Sequence, residues 1–367
     1  MTAMVRFALL VSLLLGLPLL GVAIAGQPVA RYLEFPPLTR YVDHQPFSWS
    51  VFVGVGFLVA AMVVPFLVRI IDHARSVRIN LQARAGFPWW GWLGVGIVVV
   101  AWVLAWNRFA WFADWQPFTF TPLWLGYILV MSGQTCRRTG ACLLLDRPRF
   151  FLMLFPISAA FWWFFEYLNR FVQNWYYVGV SNFGPFEYAL HATLPFSTVL
   201  PAVLSTTHWL QSFSQLSDPL RRVWPLRISH SQAVGWMGLI LAGAGLMGIG
   251  VWPDALFPLV WIAPVVVITS IQAISGEPTI LSGINEGDWR AIGAPAFAGL
   301  ICGFFWEMWN VRSLAHWEYA VPYAHRFQIF EMPLLGYAGY LPFGLECVAV
   351  TMLFFPRWKV TGLSHGD

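Results

Sequence analysis

Long apolar stretches alternate with short polar connections along almost the whole chain. Stretches long enough to cross a bilayer as helices lie near residues 5–25, 49–71, 89–106, 120–134, 150–168, 187–209, 231–251, 255–275, 290–309 and 331–355. The fourth of them is short. The pattern predicts an all-α, polytopic helical membrane protein with about ten transmembrane helices, in which residues 1–367 form a single integral membrane domain.

Composition supports this prediction. Hydrophobic residues make up 58% of the chain and charged residues 10%, whereas about a quarter of an average soluble domain is charged. The net charge of +4 would suggest a nucleic-acid partner in a soluble protein, but here the arginines lie in the connections between spans, so no nucleic-acid partner is expected. The four cysteines have no metal-ligand spacing, and no metal site is predicted.

The basic residues also predict an orientation. With the amino terminus inside, most lysines and arginines fall in cytoplasmic connections, and tryptophans and tyrosines crowd the outer ones. This favours a multi-pass protein of the bacterial inner membrane with both termini in the cytoplasm. Residues 5–25 also resemble a cleavable signal peptide, because Arg6 precedes the apolar run; its length favours a retained span.

An internal repeat is the most informative feature of the sequence. Residues 161–203 and 304–350 each contain Glu-x-x-Asn, Trp-x-Tyr, Phe-Glu and Leu-Pro-Phe in this order. Spans five and six and spans nine and ten are therefore predicted to be copies of one helical hairpin, related by an axis along the membrane normal. A degenerate third copy is expected at residues 102–130, spans three and four, where Val103 replaces the glutamate.

The Glu-x-x-Asn motifs supply the leading site candidates. In each motif the two side chains share one face of a helix near the predicted outer surface, at Glu166 and Asn169 and at Glu307 and Asn310. An ionisable residue at membrane depth is a functional candidate, so the glutamates are predicted to be catalytic and the asparagines to bind substrate. Two alternatives stay open, an ion pair between Glu166 and Arg170 and asparagine hydrogen bonds between helices.

Further candidates surround these motifs. Glu187 and Glu331 are predicted to begin the return helices, where each either complements the helix dipole or joins the other two glutamates in an aromatic-walled cavity that faces outward. The remaining residues expected to bind substrate are Arg170, Arg312, Trp175 and Trp317.

Two candidates lie deeper in the predicted spans. Glu346 replaces Val199 of the other repeat, and a lone intramembrane acid is a catalytic candidate unless a hydroxyl or histidine satisfies it. His191 and His208 on span six are candidates for that partner, for a proton relay or for haem ligands, and His191 is the catalytic candidate of the two. Their separation of about 25 Å along one helix disfavours haem ligation. The sequence otherwise names no cofactor.

Three functions remain open, because the chain has no motif for ATP hydrolysis, zinc proteolysis or serine hydrolysis. The first is a membrane-embedded enzyme that acts on a lipid or isoprenoid by carboxylate acid/base chemistry at the outer face. The second is a proton- or cation-coupled secondary transporter. The third is a non-catalytic assembly or scaffold subunit that binds lipid, carotenoid or partner helices. Neither the substrate nor the oligomeric state follows from the sequence.

Overall fold

The computed structural model describes residues 3–37, 39–76, 85–356 and 358. The helices in these residues are α1 (Ala3–Ile24), α2 (Trp49–Ser76), α3 (Trp89–Trp106), α4 (Phe120–Thr139), α5 (Leu143–Asp146), α6 (Pro148–Val172), α7 (Pro185–Phe196), α8 (Val199–Gln211), α9 (Ser214–Ser217), α10 (Ser231–Ile249), α11 (Pro253–Leu256), α12 (Ala263–Ile274), α13 (Arg290–Asn310) and α14 (Tyr340–Phe354). Short 3-10 helices lie at Val29–Tyr32, Ala110–Phe118, Asp218–Leu220, Phe257–Trp261, Ser282–Glu286 and Leu334–Gly339. The strands are β1 (Trp175–Val178), β2 (His316–Tyr319), β3 (Gln328–Ile329) and β4 (Met332–Pro333). The all-α class is confirmed.

The described residues contain eight helical segments that are long and apolar enough to span a bilayer. They are α1, α2, α3, α6, the pair α7–α8, α10, α13 and the stretch from Leu334 through α14. Residues Pro253–Trp261 and α12 form a ninth candidate that is bent by 54°. The predicted segment 120–134 forms α4, but polar residues from Ser132 onward make this helix less apolar than the others.

Both return spans of the predicted hairpins are interrupted. The sixth predicted span divides into α7 and α8 after Pro195, and in the second hairpin a 3-10 helix precedes α14, which contains Pro342. Pro201 and Pro342 lie in the first turn of α8 and of α14, where a proline lacks an N–H donor and its ring crowds the preceding turn, so a new helix begins at each position. The predicted span 187–209 still forms a candidate span, Pro185–Gln211.

Helices α13 and α14 approach each other closely through glycine. A Cβ atom added at Gly344 would lie 2.0 Å from the carbonyl oxygen of Pro295, and one added at Gly299 would lie 2.3 Å from that of Tyr340. Small residues allow this backbone approach, which drives helix association where apolar side chains gain nothing over lipid. The contact places Tyr340, at the start of α14, against α13.

Helix α2 packs differently from the other spans. Among its described residues Ile70 is the buried one. The helix is attached near its two ends: the Ser48 N–H donates to the Tyr323 carbonyl at 2.9 Å, and the Arg69 Nε–H donates to the Pro219 carbonyl at 2.8 Å. Between these points one side of α2 faces the bundle across a cavity.

The orientation in the membrane stays a prediction. It depends partly on Arg78, Arg84, Arg357 and Lys359, which lie outside the described residues. Positions are therefore given below relative to the end of the bundle that carries β1 and β2, called here the sheet end.

Replacing Gly344 by alanine should destabilise the protein. The added methyl group requires α13 and α14 to separate, and overpacking of this kind costs about 1–3 kcal/mol. We expect a lower unfolding temperature in detergent, followed by tryptophan fluorescence. Gly96→Ala in α3 is the matched control, because a Cβ there meets nothing within 4 Å; equal destabilisation by the two variants would contradict the prediction.

Candidate functional site

A two-stranded antiparallel sheet joins the ends of α6 and α13. Its register pairs Trp175 with Tyr319 and Tyr177 with Trp317, so the two Trp-x-Tyr segments exchange places about a local two-fold axis. Paired residues and residues two apart share a face of a sheet. Both tryptophans and both tyrosines therefore lie on one face, and all four line the same cavity.

The motif asparagines hold the two strands in place. The Asn169 side chain donates to the Trp175 carbonyl at 2.7 Å and accepts the Asn174 N–H at 2.9 Å. Asn310 donates to the Trp317 carbonyl at 2.6 Å and accepts the Trp317 N–H at 2.8 Å. Both side chains are fully buried. The structure thus places the two asparagines as supports for the strands, and a direct contact with substrate stays a prediction.

Glu166 lies beside β1 and is completely buried. Its Oε1 atom accepts hydrogen bonds from the Trp162 indole at 3.1 Å, the Trp175 indole at 3.1 Å and the Tyr177 hydroxyl at 2.6 Å. Its Oε2 atom has no hydrogen-bond partner among the described residues. One carboxyl oxygen is thus saturated and the other is left over.

Glu307 repeats this arrangement beside β2. Its Oε1 atom accepts the Tyr319 hydroxyl at 2.7 Å and the Tyr340 hydroxyl at 2.5 Å, and its Oε2 atom has no partner in the part of the chain that the structure describes. The Trp317 indole donates to the Tyr319 hydroxyl at 2.7 Å. Each repeat therefore contains a buried glutamate bonded to the tyrosine of its own Trp-x-Tyr segment.

The proposed ion pair between Glu166 and Arg170 is not formed. No ion pair found among the described residues joins them. Three aromatic donors occupy Glu166, and Arg170 donates instead to the Tyr32 carbonyl at 2.8 Å. The guanidinium carbon of Arg312 lies 5.4 Å from the centre of the Trp106 ring.

The two outer glutamates do not join this arrangement in the predicted way. Glu187 is in the first turn of α7, is exposed, and accepts the Gly184 N–H at 3.1 Å, which is the helix-start alternative. Glu331 does not begin a helix: it lies in the turn between β3 and β4, because a short hairpin precedes the return helix. Of the four glutamates that were expected to converge, Glu166 and Glu307 are the two that share this arrangement.

His191 and Glu346 have other partners than those predicted. His191 donates from Nε2 to the Pro117 carbonyl at 2.8 Å and lines the cavity. Glu346 is completely buried, accepts the Val265 N–H at 3.4 Å, and has no partner for Oε2 among the described residues. Neither a hydroxyl nor a histidine satisfies Glu346 there.

The predicted third copy lacks the strand contact. Asn107, which aligns with the motif asparagines, donates to the carbonyl of Val103 in its own helix at 2.7 Å. This segment therefore keeps the asparagine without its supporting role. The duplication itself stays a prediction, which the matched contacts of the other two copies support.

The cavity below the sheet has a volume of about 1320 Å³, larger than the roughly 300–1,000 Å³ of most small-molecule pockets. Most of its walls are apolar and come from α2, α7, α13, α14 and the 3-10 helices. At the sheet end it is lined by aromatic and polar side chains: Trp162, Trp175, Tyr177, Trp261, Trp306, Trp317, Tyr319, Tyr340, Asn174, His191, His316 and Asp254. The glutamates lie behind these aromatic residues.

The strand tyrosines are held as neutral hydrogen-bond donors. Burial, followed by the charge of Glu166, raises the pKa of Tyr177 well above its ordinary value, and burial with the charge of Glu307 does the same for Tyr319. On the opposite face of the sheet, Tyr176 donates to Glu318, and burial together with that bond raises its pKa to about 12. The phenols therefore keep their protons at neutral pH.

Some site residues had a signal in the sequence and some had none. Tyr177 and Tyr319 stand at matched positions of the Trp-x-Tyr motif, so the repeat already pointed to them. Tyr340 reaches Glu307 from another helix, and Trp162 lies one turn before Glu166 on the same helix; neither has a matched counterpart in the other repeat that would single it out. Asp254 meets the cavity through a helix far away in sequence, where it accepts a hydrogen bond from His44 Nδ1 at 2.6 Å.

Comparison with known proteins adds no family: no protein-family model, no curated protein and no solved structure matches the chain. Among the residues that the structure describes, no group of three or more His, Cys, Asp or Glu side chains is placed to hold a metal ion. The function is therefore inferred from the geometry of the site.

Replacing Asn310 by alanine should destabilise the sheet end. The variant leaves the N–H and carbonyl of Trp317 without their partner, and each unsatisfied buried group costs about 1–3 kcal/mol. We expect a clearly lower unfolding temperature and easier proteolysis near β2. Asn107→Ala is the matched control from the degenerate copy, and a loss of stability as large as that of Asn310→Ala would contradict the supporting role.

Proposed function

We propose that the protein is a membrane-embedded enzyme that binds a lipid or isoprenoid in the cavity and acts on it by acid/base chemistry at the sheet end. The observation that carries the proposal is the pair of buried glutamates. Each accepts a hydrogen bond from the hydroxyl of a tyrosine that lines the cavity. Carboxylates and phenols in an apolar site are suited to proton transfer.

The tyrosines are the groups that touch substrate in this proposal. Tyr177 and Tyr319 line the cavity, whereas Glu166 and Glu307 are behind them. A proton given by a tyrosine to the substrate is replaced by one from its glutamate, and a proton taken from the substrate passes the opposite way. Because burial keeps the phenols protonated, this transfer is a concerted exchange that does not leave a free phenolate.

The unpartnered oxygens argue against a purely structural role. A carboxylate without a counter-ion at membrane depth is costly, and two such residues occur in the same local arrangement. Protein stability alone would favour a neutral glutamine, which also accepts hydrogen bonds through its carbonyl oxygen. A reason to keep an acid at both positions is the ability to bind and release a proton.

A second candidate function is proton-coupled transport, and one observation favours it. Glu346 lies in α14 next to Leu345, which lines the cavity, and has an unpartnered oxygen within the described part of the chain. An acid of this kind is typical of proton pathways. In this alternative the cavity is a substrate site, and Glu346 carries the coupling proton.

The proposal includes a location. We place the protein in the inner membrane of a bacterium as a multi-pass protein with both termini in the cytoplasm, which the basic residues of the connections support. The sheet end then lies at the outer face. A membrane lipid or isoprenoid is the proposed partner.

Replacing Glu166 or Glu307 by glutamine should abolish the proposed reaction while preserving the fold. Glutamine keeps an acceptor for the tyrosine but cannot exchange a proton, and general acid/base groups contribute about 10²–10⁴-fold to rate. A deletion strain complemented with either variant should show the same lipid and isoprenoid profile by mass spectrometry as the deletion alone.

The wild-type chain and Glu286→Gln are the controls, because Glu286 is exposed on the connection before α13. Both should restore the profile. If Glu166→Gln and Glu307→Gln, at normal protein levels, each gave the same lipid and isoprenoid profile as the wild-type chain, the enzymatic proposal would be overturned.

Glu346→Gln separates the second candidate from the first. If the protein transports a substrate with protons, this variant should lose pH-driven flux in proteoliposomes and keep ligand binding. A flux insensitive to the substitution would remove transport as an explanation for Glu346.

A further inference from the structure

We infer that the cavity holds a long, uncharged hydrocarbon chain of the isoprenoid alcohol or hydrocarbon class, with its reactive end at the sheet and its tail between α2 and α13. The identity of the reaction rests on the proposed function, but binding of this class of molecule does not. The length of the cavity, its charge and its aromatic end lead separately to this class.

The length of the cavity matches an extended chain. On α13 its lining residues run from Ile292 to Trp306, and on α2 they run from Val51 to Phe66. At 1.5 Å per residue these distances are about 21 and 22 Å, which is most of a hydrocarbon core about 30 Å thick. A compact ligand would leave much of this space unfilled, whereas a chain lying along both helices fills it.

The charge of the sheet end disfavours an anionic head group. Asp254 lines this end, and Glu166 and Glu307 lie directly behind its tyrosines. No lysine or arginine occurs among the described residues that line the cavity. Phosphate is bound in proteins mainly by arginine, lysine and helix N-termini, so a phosphorylated head group lacks its usual side-chain partners among the described residues of this end.

Four arginines that do not line the cavity have other partners. Arg170 donates to the Tyr32 carbonyl, and the Arg312 guanidinium lies over the Trp106 ring. At the opposite end of α13, Arg290 pairs with Asp288 at 2.6 Å, and Arg69 donates to the Pro219 carbonyl. These contacts hold the four guanidinium groups against other protein groups.

Aromatic rings form the walls at the reactive end. Trp162, Trp175, Trp261, Trp306 and Trp317 line it together with three tyrosines. Aromatic faces pack well against flat unsaturated carbon chains and also stabilise positive charge that develops on a ligand. An unsaturated chain therefore gains more here than a saturated one.

Entry from the lipid phase fits the packing of α2. This helix has one buried residue among those described and is attached near its ends, so its middle is a weakly packed wall between the cavity and lipid. A hydrocarbon tail passing this wall leaves one apolar environment for another, so it loses little hydration energy. A charged head could not follow the same route cheaply.

The test is a competition measurement on the purified full-length protein in nanodiscs. A conjugated polyene hydrocarbon serves as the probe, because it quenches tryptophan fluorescence when it binds beside the cavity tryptophans. The competitors are a polyprenol of about 40 carbons, its monophosphate, a long fatty alcohol and phosphatidylglycerol. Polyprenol and its monophosphate share one hydrocarbon chain and differ in the head group, so the pair isolates the effect of the head group.

We expect the polyprenol to displace the probe at a concentration at least tenfold lower than its phosphate or phosphatidylglycerol. Equal or better displacement by the phosphate would overturn the inference. The fatty alcohol tests whether the chain is an isoprenoid. If it displaces the probe as well as the polyprenol does, the isoprenoid assignment is overturned in favour of an acyl chain. Weaker displacement by the fatty alcohol supports the isoprenoid assignment.

A cavity-filling variant locates the binding site. Ala296 lies on the α13 wall between Ile292 and Trp306, and Ala296→Trp should weaken probe binding at least tenfold because the indole blocks the path of the chain. Ala244→Trp on α10, where Ala244 is exposed, adds the same fluorophore outside the cavity and should bind as the wild type does. Equal binding by both variants would show that the chain lies elsewhere.

The outcome distinguishes this inference from the proposed function. Selective binding of uncharged chains with no effect of Glu166→Gln and Glu307→Gln on the lipid profile would retain the ligand class and remove the enzyme. Altered lipid profiles combined with stronger binding of anionic lipids would retain the enzyme and remove the ligand class.

Discussion

The arrangement of the whole sheet end depends on satisfying the backbone of two short strands at the ends of membrane helices. Non-helical backbone is tolerated near a bilayer where protein groups bind its N–H and carbonyl atoms. The strands bind each other along one edge, and the Asn169 and Asn310 amides bind the free edges. Each asparagine lies three residues after the motif glutamate on the same helix, so strand and acid are fixed by the same turn of helix.

This constraint explains how two acids can be buried without forming an ion pair in the part of the chain that the structure describes. The strands bring indole and phenol donors to Glu166 and Glu307, and these donors satisfy one oxygen of each carboxyl group. Aromatic donors provide hydrogen bonds without adding charge, so they are compatible with the proposed exchange of a proton at each carboxyl group. An ion pair with Arg170 would instead have stabilised the ionised form of Glu166.

The sequence predicted the fold class and the position of the site better than it predicted the partners within the site. Span positions follow from apolar runs, and the repeat identified Glu166, Glu307 and the two Trp-x-Tyr segments. It could not predict that Glu331 precedes a hairpin, because a two-residue strand has too little pattern to be recognised. Contacts from distant segments, such as that of Tyr340 with Glu307, depend on helix packing at glycines, which local patterns do not encode.

The open cavity beside α2 also has a physical basis in the membrane environment. In water, an apolar space of this size would collapse, because closing it would remove apolar surface from solvent. Within a bilayer the lipid tails are as apolar as the helix surface, so no such force draws α2 onto α13. The space can therefore remain open within the bilayer. In the proposed function, selection among bilayer chains falls to the sheet end, because the rest of the wall is apolar and distinguishes one hydrocarbon from another only by length and shape.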